Sequence, residues 1–183
     1  MKHPRSLVIL LAVAVALATT AAASASPRTS APTAGPIALF ATVGNGPSGK
    51  IVVAGAIGDW GNTLSTDSNG KPDPNGNFVK VTLKKGTFEI DSTAVNKKMA
   101  NPRPQIASDV TCSVLASGSG PVKLFNGTGL YQGISGTVKV TITFSGVGGR
   151  YPSGANKGQC IHGPSPLATL GSVNGRGNVH FTP

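Results

Sequence analysis

Residues 125–147, FNGTGLYQGISGTVKVTITFSGV, constrain the fold more than any other stretch. Val138, Val140, Ile142 and Phe144 alternate there with Thr137, Lys139, Thr141, Thr143 and Ser145. A period of two over that length specifies a strand with one apolar face. The other face is small, β-branched or charged only at the tip of a long stem, so it can meet water. The stretch opens on Gly127, Gly129, Gly133 and Gly136. We read it as the central strand of a curved antiparallel sheet, entered through a glycine bend. The spacing looks like a dinucleotide loop, but that loop works only ahead of a helix, whose N-terminus faces the pyrophosphate. A Val/Thr/Ile strand follows instead, so the glycines serve tight bends.

The same pattern recurs at shorter range along the chain. Residues 37–43 start the sheet. Residues 50–59 are apolar on both faces, read as a strand buried on both sides, and run into Gly58-Asp59-Trp60-Gly61. Residues 62–77 read as a polar excursion. Residues 78–85 and 87–92 form a hairpin broken at Gly86. Residues 94–105 read as a surface loop with room for one helical turn. Residues 106–117 form a strand carrying Cys112, 118–120 a turn and 121–125 the next strand. After the central strand, a Gly/Pro-dense loop at 148–166 precedes two short strands, 168–173 and 177–182, joined at Asn174-Gly175. Five Asn-Gly pairs, at Asn45, Asn69, Asn75, Asn126 and Asn174, separate apolar runs, and both residues tolerate positive φ in hairpin turns. The fold class is therefore all-β. Eight or so short strands suggest a barrel or a sandwich, and a long glycine-rich strand with edges to hide favours a single small antiparallel β-barrel.

The N-terminus reads as a cleaved signal peptide over residues 1–25. Lys2 and Arg5 precede an apolar run at 6–18, and Ala23-Ser24-Ala25 fits a peptidase site before Ser26. The run is shorter than the roughly 20 residues of a membrane span, so no stable span is expected. Residues 26–36, rich in Pro, Ser, Thr and Ala, read as a disordered leader, and 37–183 as the barrel domain. Without Lys2 and Arg5, the 16 basic residues become 14 against 6 acidic ones, a balance of about +8. These charges are scattered and do not interleave with aromatics, so no nucleic-acid partner is expected. A basic exterior does allow weak contact with an anionic envelope polymer.

In an exported chain the two cysteines, Cys112 and Cys160, are expected to form a disulfide. His162 lies two residues from Cys160, the one neighbour that could activate a thiol. Cysteines and histidines show no zinc spacing, and no cofactor loop is recognisable, so neither metal nor cofactor is expected.

Residues 127–136, the alternating strand after them, the Gly/Pro loop with Cys160 and the terminal Gly177-Asn-Val-His-Phe181 strand together resemble the allene oxide cyclase barrel-like and dirigent-like families. Those are small antiparallel β-barrels of the calycin group. Small secreted bacterial members share the order of signal peptide, a strand ending in an acidic residue and glycine (here Asp59 to Gly61), and the Gly-x-Gly-x-Tyr-x-Gly-Ile-x-Gly bend. The resemblance covers most of residues 37–181. It implies a barrel that encloses a small molecule, either as a cyclase or, like the dirigent proteins, without oxidative chemistry of its own. No catalytic residue is carried over from it.

Three residues are candidates for ligand contact at the barrel mouth: Trp60, the only tryptophan, its neighbour Asp59, and Tyr131 inside the glycine bend. Glu89 and Asp91 share a strand face with Thr87 and read as solvent-facing, opposite Lys80, Lys84 or Lys85. His180 alternates with Val179 and Phe181 and should face out. There is no Gly-x-Ser-x-Gly elbow. The functions that remain are a secreted non-catalytic binder of an apolar or phenolic small molecule, an isomerase or cyclase using the same cavity, and an envelope-associated surface protein. The catalytic residues of the second are unknown from sequence.

Overall fold

A computed structural model of the chain describes residues 33–43, 46–100, 104–161 and 166–182. The expected signal peptide, most of the leader, Asn45, Arg103 and His162 lie outside the described residues. The elements are β1 (Gly35–Val43), β2 (Ser48–Gly55), β3 (Asp59–Thr66), β4 (Phe78–Leu83), β5 (Thr87–Asp91), α1 (Thr93–Met99), β6 (Pro104–Ser108), β7 (Ser113–Phe125), β8 (Ile134–Val147) and β9 (Ala168–Phe181). The sheet order is β5-β4-β3-β2-β1-β9-β8-β7-β6, and β5 also pairs with β7. Every one of these pairings is antiparallel. Eight strands, β1–β5 and β7–β9, thus close a barrel, and closure removes the free edges that an open sheet would expose.

The alternating stretch holds the place its pattern demands. β8 pairs along its whole length with β9 and, from Gly136 onward, with β7. Val138 and Val140 are buried inside the barrel, while Lys139 and Ser145 face water. β7 is shared at its other edge. Its last residues, Lys123 to Phe125, pair with β5, and Ser113 to Ala116 pair with β6. The gap between is covered by α1. A Cβ on Gly118 would lie 2.5 Å from Met99 Sδ, and one on Gly120 3.1 Å from Val95 Cα, so the helix can approach only a glycine strand.

Several expected boundaries move. β1 begins at Gly35, two residues inside the expected leader. The expected strand at 50–59 is two strands: β2 stops at Gly55, the chain reverses through Gly58, and β3 runs from Asp59 into the supposed polar excursion. Val52, read as buried on both sides, is 53 % exposed on the outer face. Gly118 to Gly120 do not turn; β7 runs straight through them. Nor does Asn174-Gly175 turn. Gly175 sits mid-strand in β9, where a Cβ would lie 2.8 Å from Val140 Cγ1 and 3.1 Å from Leu39 Cγ, so the glycine is required by packing across the barrel.

One barrel end is packed shut. Ile37, Ile57, Leu83, Phe88, Tyr131, Ile134 and Val179 fill it, each 7 % exposed or less. The glycine bend becomes a single 3-10 turn, Gly129–Tyr131, folded across this end. Its close fit depends on Gly133, which has a φ of 72° and whose Cβ would collide with the Thr182 carbonyl oxygen. At the other end β7, β8 and β9 project beyond the shorter strands, and the turns there leave the lumen open.

Candidate functional site

The open half of the barrel holds a cavity of about 540 Å³, within the range of small-molecule sites. The inward positions of each strand make it. β1 contributes Leu39 and Ala41, β2 Ile51, β8 Val140, Ile142 and Phe144, and β9 Val173. β3 contributes Thr63 and Ser65, the same strand that read as polar loop. The space exists because several inward positions are small: Ala41, Ala116, Thr63 and Ser65 stand where a filled barrel would carry bulk. Each leaves part of the lumen width unoccupied.

The lining contains no ionisable side chain. Its polar atoms are neutral, and they gather on the β3 and α1 side. Asn96 of α1 donates its amide to Gly76 O, Asn77 Oδ1 and Ser92 Oγ, each at 3.2 Å. Ser92 in turn donates to Asn77 O at 2.8 Å. These bonds fix α1 and the β3–β4 loop as one rim. Thr63 and Ser65 differ: their hydroxyls take no partner among the described residues, and neither is sealed from solvent. A hydroxyl left free in an apolar lumen can donate to, or accept from, a guest.

The structure brings together two of the three expected contact residues, but at the closed end. Tyr131 donates its hydroxyl to Asp59 Oδ2 at 2.6 Å. Asp59 also accepts from the backbone N–H groups of Trp60, at 2.8 Å, and Lys85, at 3.0 Å. Burial pushes the Asp59 carboxyl up, but the Tyr131 hydroxyl and these backbone donors outweigh it and hold the group below its ordinary value. Burial first, then the bond to Asp59 and its charge, raises the Tyr131 phenol well above its ordinary value. At neutral pH the acid is ionised and the phenol protonated, a fixed donor–acceptor pair. Phe88 packs edge-on against the Tyr131 ring, 5.8 Å between centroids. Tyr131 is fully buried and not at a rim, and neither it nor Asp59 lines the cavity. Trp60 faces outward, 59 % exposed, with Lys84 Nζ 5.8 Å from its ring centroid, and does not line the cavity.

The cysteines are joined, Cys112 to Cys160, with Cα atoms 5.3 Å apart. Cys112 sits in the β6–β7 turn with φ 53°, not on a strand as its alternation suggested. The bond ties the loop after β8 to that turn at the open end, and no thiol is left for catalysis on either residue. Glu89 lies on the outer face, opposite Lys80 in the β4–β5 register, and accepts from Asn126 Nδ2 at 3.3 Å. His180 is exposed. Among the described residues no three metal-ligating side chains converge, and no helix is long and apolar enough to cross a membrane.

Compared with protein-family models, with curated proteins and with solved structures, the chain matches none. What stands is the architecture, a closed eight-stranded antiparallel barrel compatible with the calycin-like type.

Proposed function

We propose that this is an exported barrel that binds a neutral apolar or phenolic small molecule in its lumen and releases it unchanged. The observation that carries this reading is the cavity of about 540 Å³, apolar on most sides, free of ionisable groups, with the hydroxyls of Thr63 and Ser65 unpartnered on one wall. An apolar guest gains by leaving water, about 25 cal/mol per Å² buried. A phenol or alcohol gains a hydrogen bond as well. A charged guest would lose its hydration with no counter-ion to replace it. The likeness to the dirigent-like families belongs to the same proposal, since it offers the precedent of a barrel that holds a phenolic species without oxidising it. The disulfide and the basic-then-apolar N-terminus support export.

The test is calorimetric titration with N-phenyl-1-naphthylamine and with a long-chain alkylphenol, followed by recovery of each compound. Both should bind once per chain and return unaltered. Ala41→Phe, which adds bulk to the lumen, should abolish binding while circular dichroism stays β. Thr63→Val should weaken the phenol by about threefold to tenfold, the worth of one hydrogen bond, and spare the naphthylamine. Trp60 emission should not follow lumen occupancy, because Trp60 points away from it. Absence of binding, or binding indifferent to Ala41→Phe, would overturn the proposal, and chemical conversion of a probe would replace it with an isomerase or cyclase.

A further inference from the structure

Outside the barrel, three large apolar side chains stand in one cross-strand row. Phe40 of β1 is opposite Val52 of β2, and Val52 is opposite Trp60 of β3. They are 49 %, 53 % and 59 % exposed. Adjacent strands are about 4.8 Å apart, so the three side chains are in lateral reach of one another and form one band instead of three isolated spots. Their exposed surface amounts to roughly 300 Å², the size at which an apolar patch on a single chain begins to carry meaning. Ala38 and Ala54 continue the apolar surface on one side of the row.

The charges around the band have one sign. The outward positions from β8 round to β3 hold Lys139, Arg176 and Lys50 and no carboxylate, and the first outer-face carboxylate beyond them, Glu89 of β5, stands opposite Lys80, two strands away from the band's edge. Lys84, one residue past β4, lies over the Trp60 ring. Asp59, the acidic residue beside Trp60, is turned inward and buried at 3 % exposure. Asp67 and Asp73 belong to the β3–β4 loop at the other end of the barrel. An apolar band with lysines and an arginine at its margins matches the layering of an anionic lipid surface, where rings enter the headgroup zone and long basic side chains reach back to phosphate.

We infer that the Phe40–Val52–Trp60 face docks the protein onto an anionic phospholipid surface. Two other occupants fit less well. A second copy of the chain would set like charges against each other around a shared band. A polysaccharide needs open aromatic faces for its sugar rings, but the middle of the row is a valine and the Trp60 ring carries the Lys84 ammonium. The inference is independent of what fills the lumen.

The experiment uses the full chain and vesicles of equimolar phosphatidylglycerol and phosphatidylcholine, with pure phosphatidylcholine as comparison. Trp60 is the only tryptophan, so its emission reports this face and nothing else in the chain. On the anionic vesicles the emission should move to shorter wavelength, and brominated acyl chains should quench it. High salt should reverse both effects. Val52→Asp, at an exposed position that should not disturb folding, should abolish the shift. Lys50→Gln with Lys84→Gln should weaken vesicle binding by about tenfold or more. Trp60 emission unmoved by anionic vesicles at low salt would overturn the inference, as would a shift that persists in Val52→Asp. A soluble anionic polysaccharide that shifts the emission where vesicles do not would assign the face to that polymer instead. Sedimentation as a dimer that Val52→Asp dissolves would assign it to a second copy.

Discussion

The two ends of the barrel are made by the same strands and differ in what those strands point inward. At the closed end Ile37, Phe88, Tyr131 and Ile134 meet across the lumen, and Asp59, the one buried charge among the described residues, accepts three donors. At the open end the inward residues are smaller, and the hydroxyls of Thr63 and Ser65 are left over. A polar group at the closed end is therefore part of the fold's own bonding, whereas the same kind of group at the open end is available to something else. Removing one should cost stability at the first end and binding at the second.

The largest effect is expected from Gly133→Ala. It places a Cβ against the Thr182 carbonyl in a backbone conformation that alanine resists, and the closing turn cannot shift without opening the packed end. Stability should fall by about 3 kcal/mol or more, measured by denaturant unfolding.

Next comes the disulfide. Replacing Cys112 and Cys160 together by alanine should cost about 2–4 kcal/mol, because it frees a segment whose ends are 48 residues apart. Alkylation of the native protein should find neither thiol, and ready labelling of both would contradict the linkage.

Tyr131→Phe keeps the ring and its contact with Phe88 but takes a donor from a buried carboxylate, a loss of about 1.5–3 kcal/mol. Lumen binding should be unchanged. The pH dependence follows from the lowered Asp59 value. A carboxyl whose folded value is depressed contributes stability above its ordinary range near pH 4, and that contribution is lost as pH falls through the folded value. Asp59→Asn should remove that acid-side slope.

The smallest effect is expected at the open end. Thr63→Val also deletes a hydroxyl, yet stability should change by less than about 1 kcal/mol, because no partner is abandoned. A loss as large as that of Tyr131→Phe would mean that the open end is bonded like the closed one.

Much of the fold was legible in the residues. The period of two through β8, the β4–β5 hairpin and the outward placement of Glu89 and His180 were all readable, because one buried face leaves a plain alternation. The disulfide was readable from pairing alone. β3 was not. Strand patterns are recognised by bulky apolar residues on the core face, and β3 points Thr63 and Ser65 inward. The lack of bulk that hid the strand is what makes the cavity. Asn174-Gly175 and Gly118 misled in the opposite way, since glycine that admits a neighbouring side chain or helix looks the same as glycine that turns. Trp60 and Tyr131 drew notice because they are rare and aromatic, while the residues that line the lumen are small or ordinary aliphatics with no local signature.

Methyl-resolved NMR during titration with a neutral alkylphenol reads the two ends apart, since they carry separate sets of methyl groups. Ile51, Val79, Ile142 and Val173, around the open cavity, should shift to saturation with one molecule per chain. Ile57, Leu83, Ile134 and Val179, at the packed end, should stay where they are. Equal shifts at both ends, or none at the first set, would contradict a barrel whose one half is structure and whose other half is a binding site.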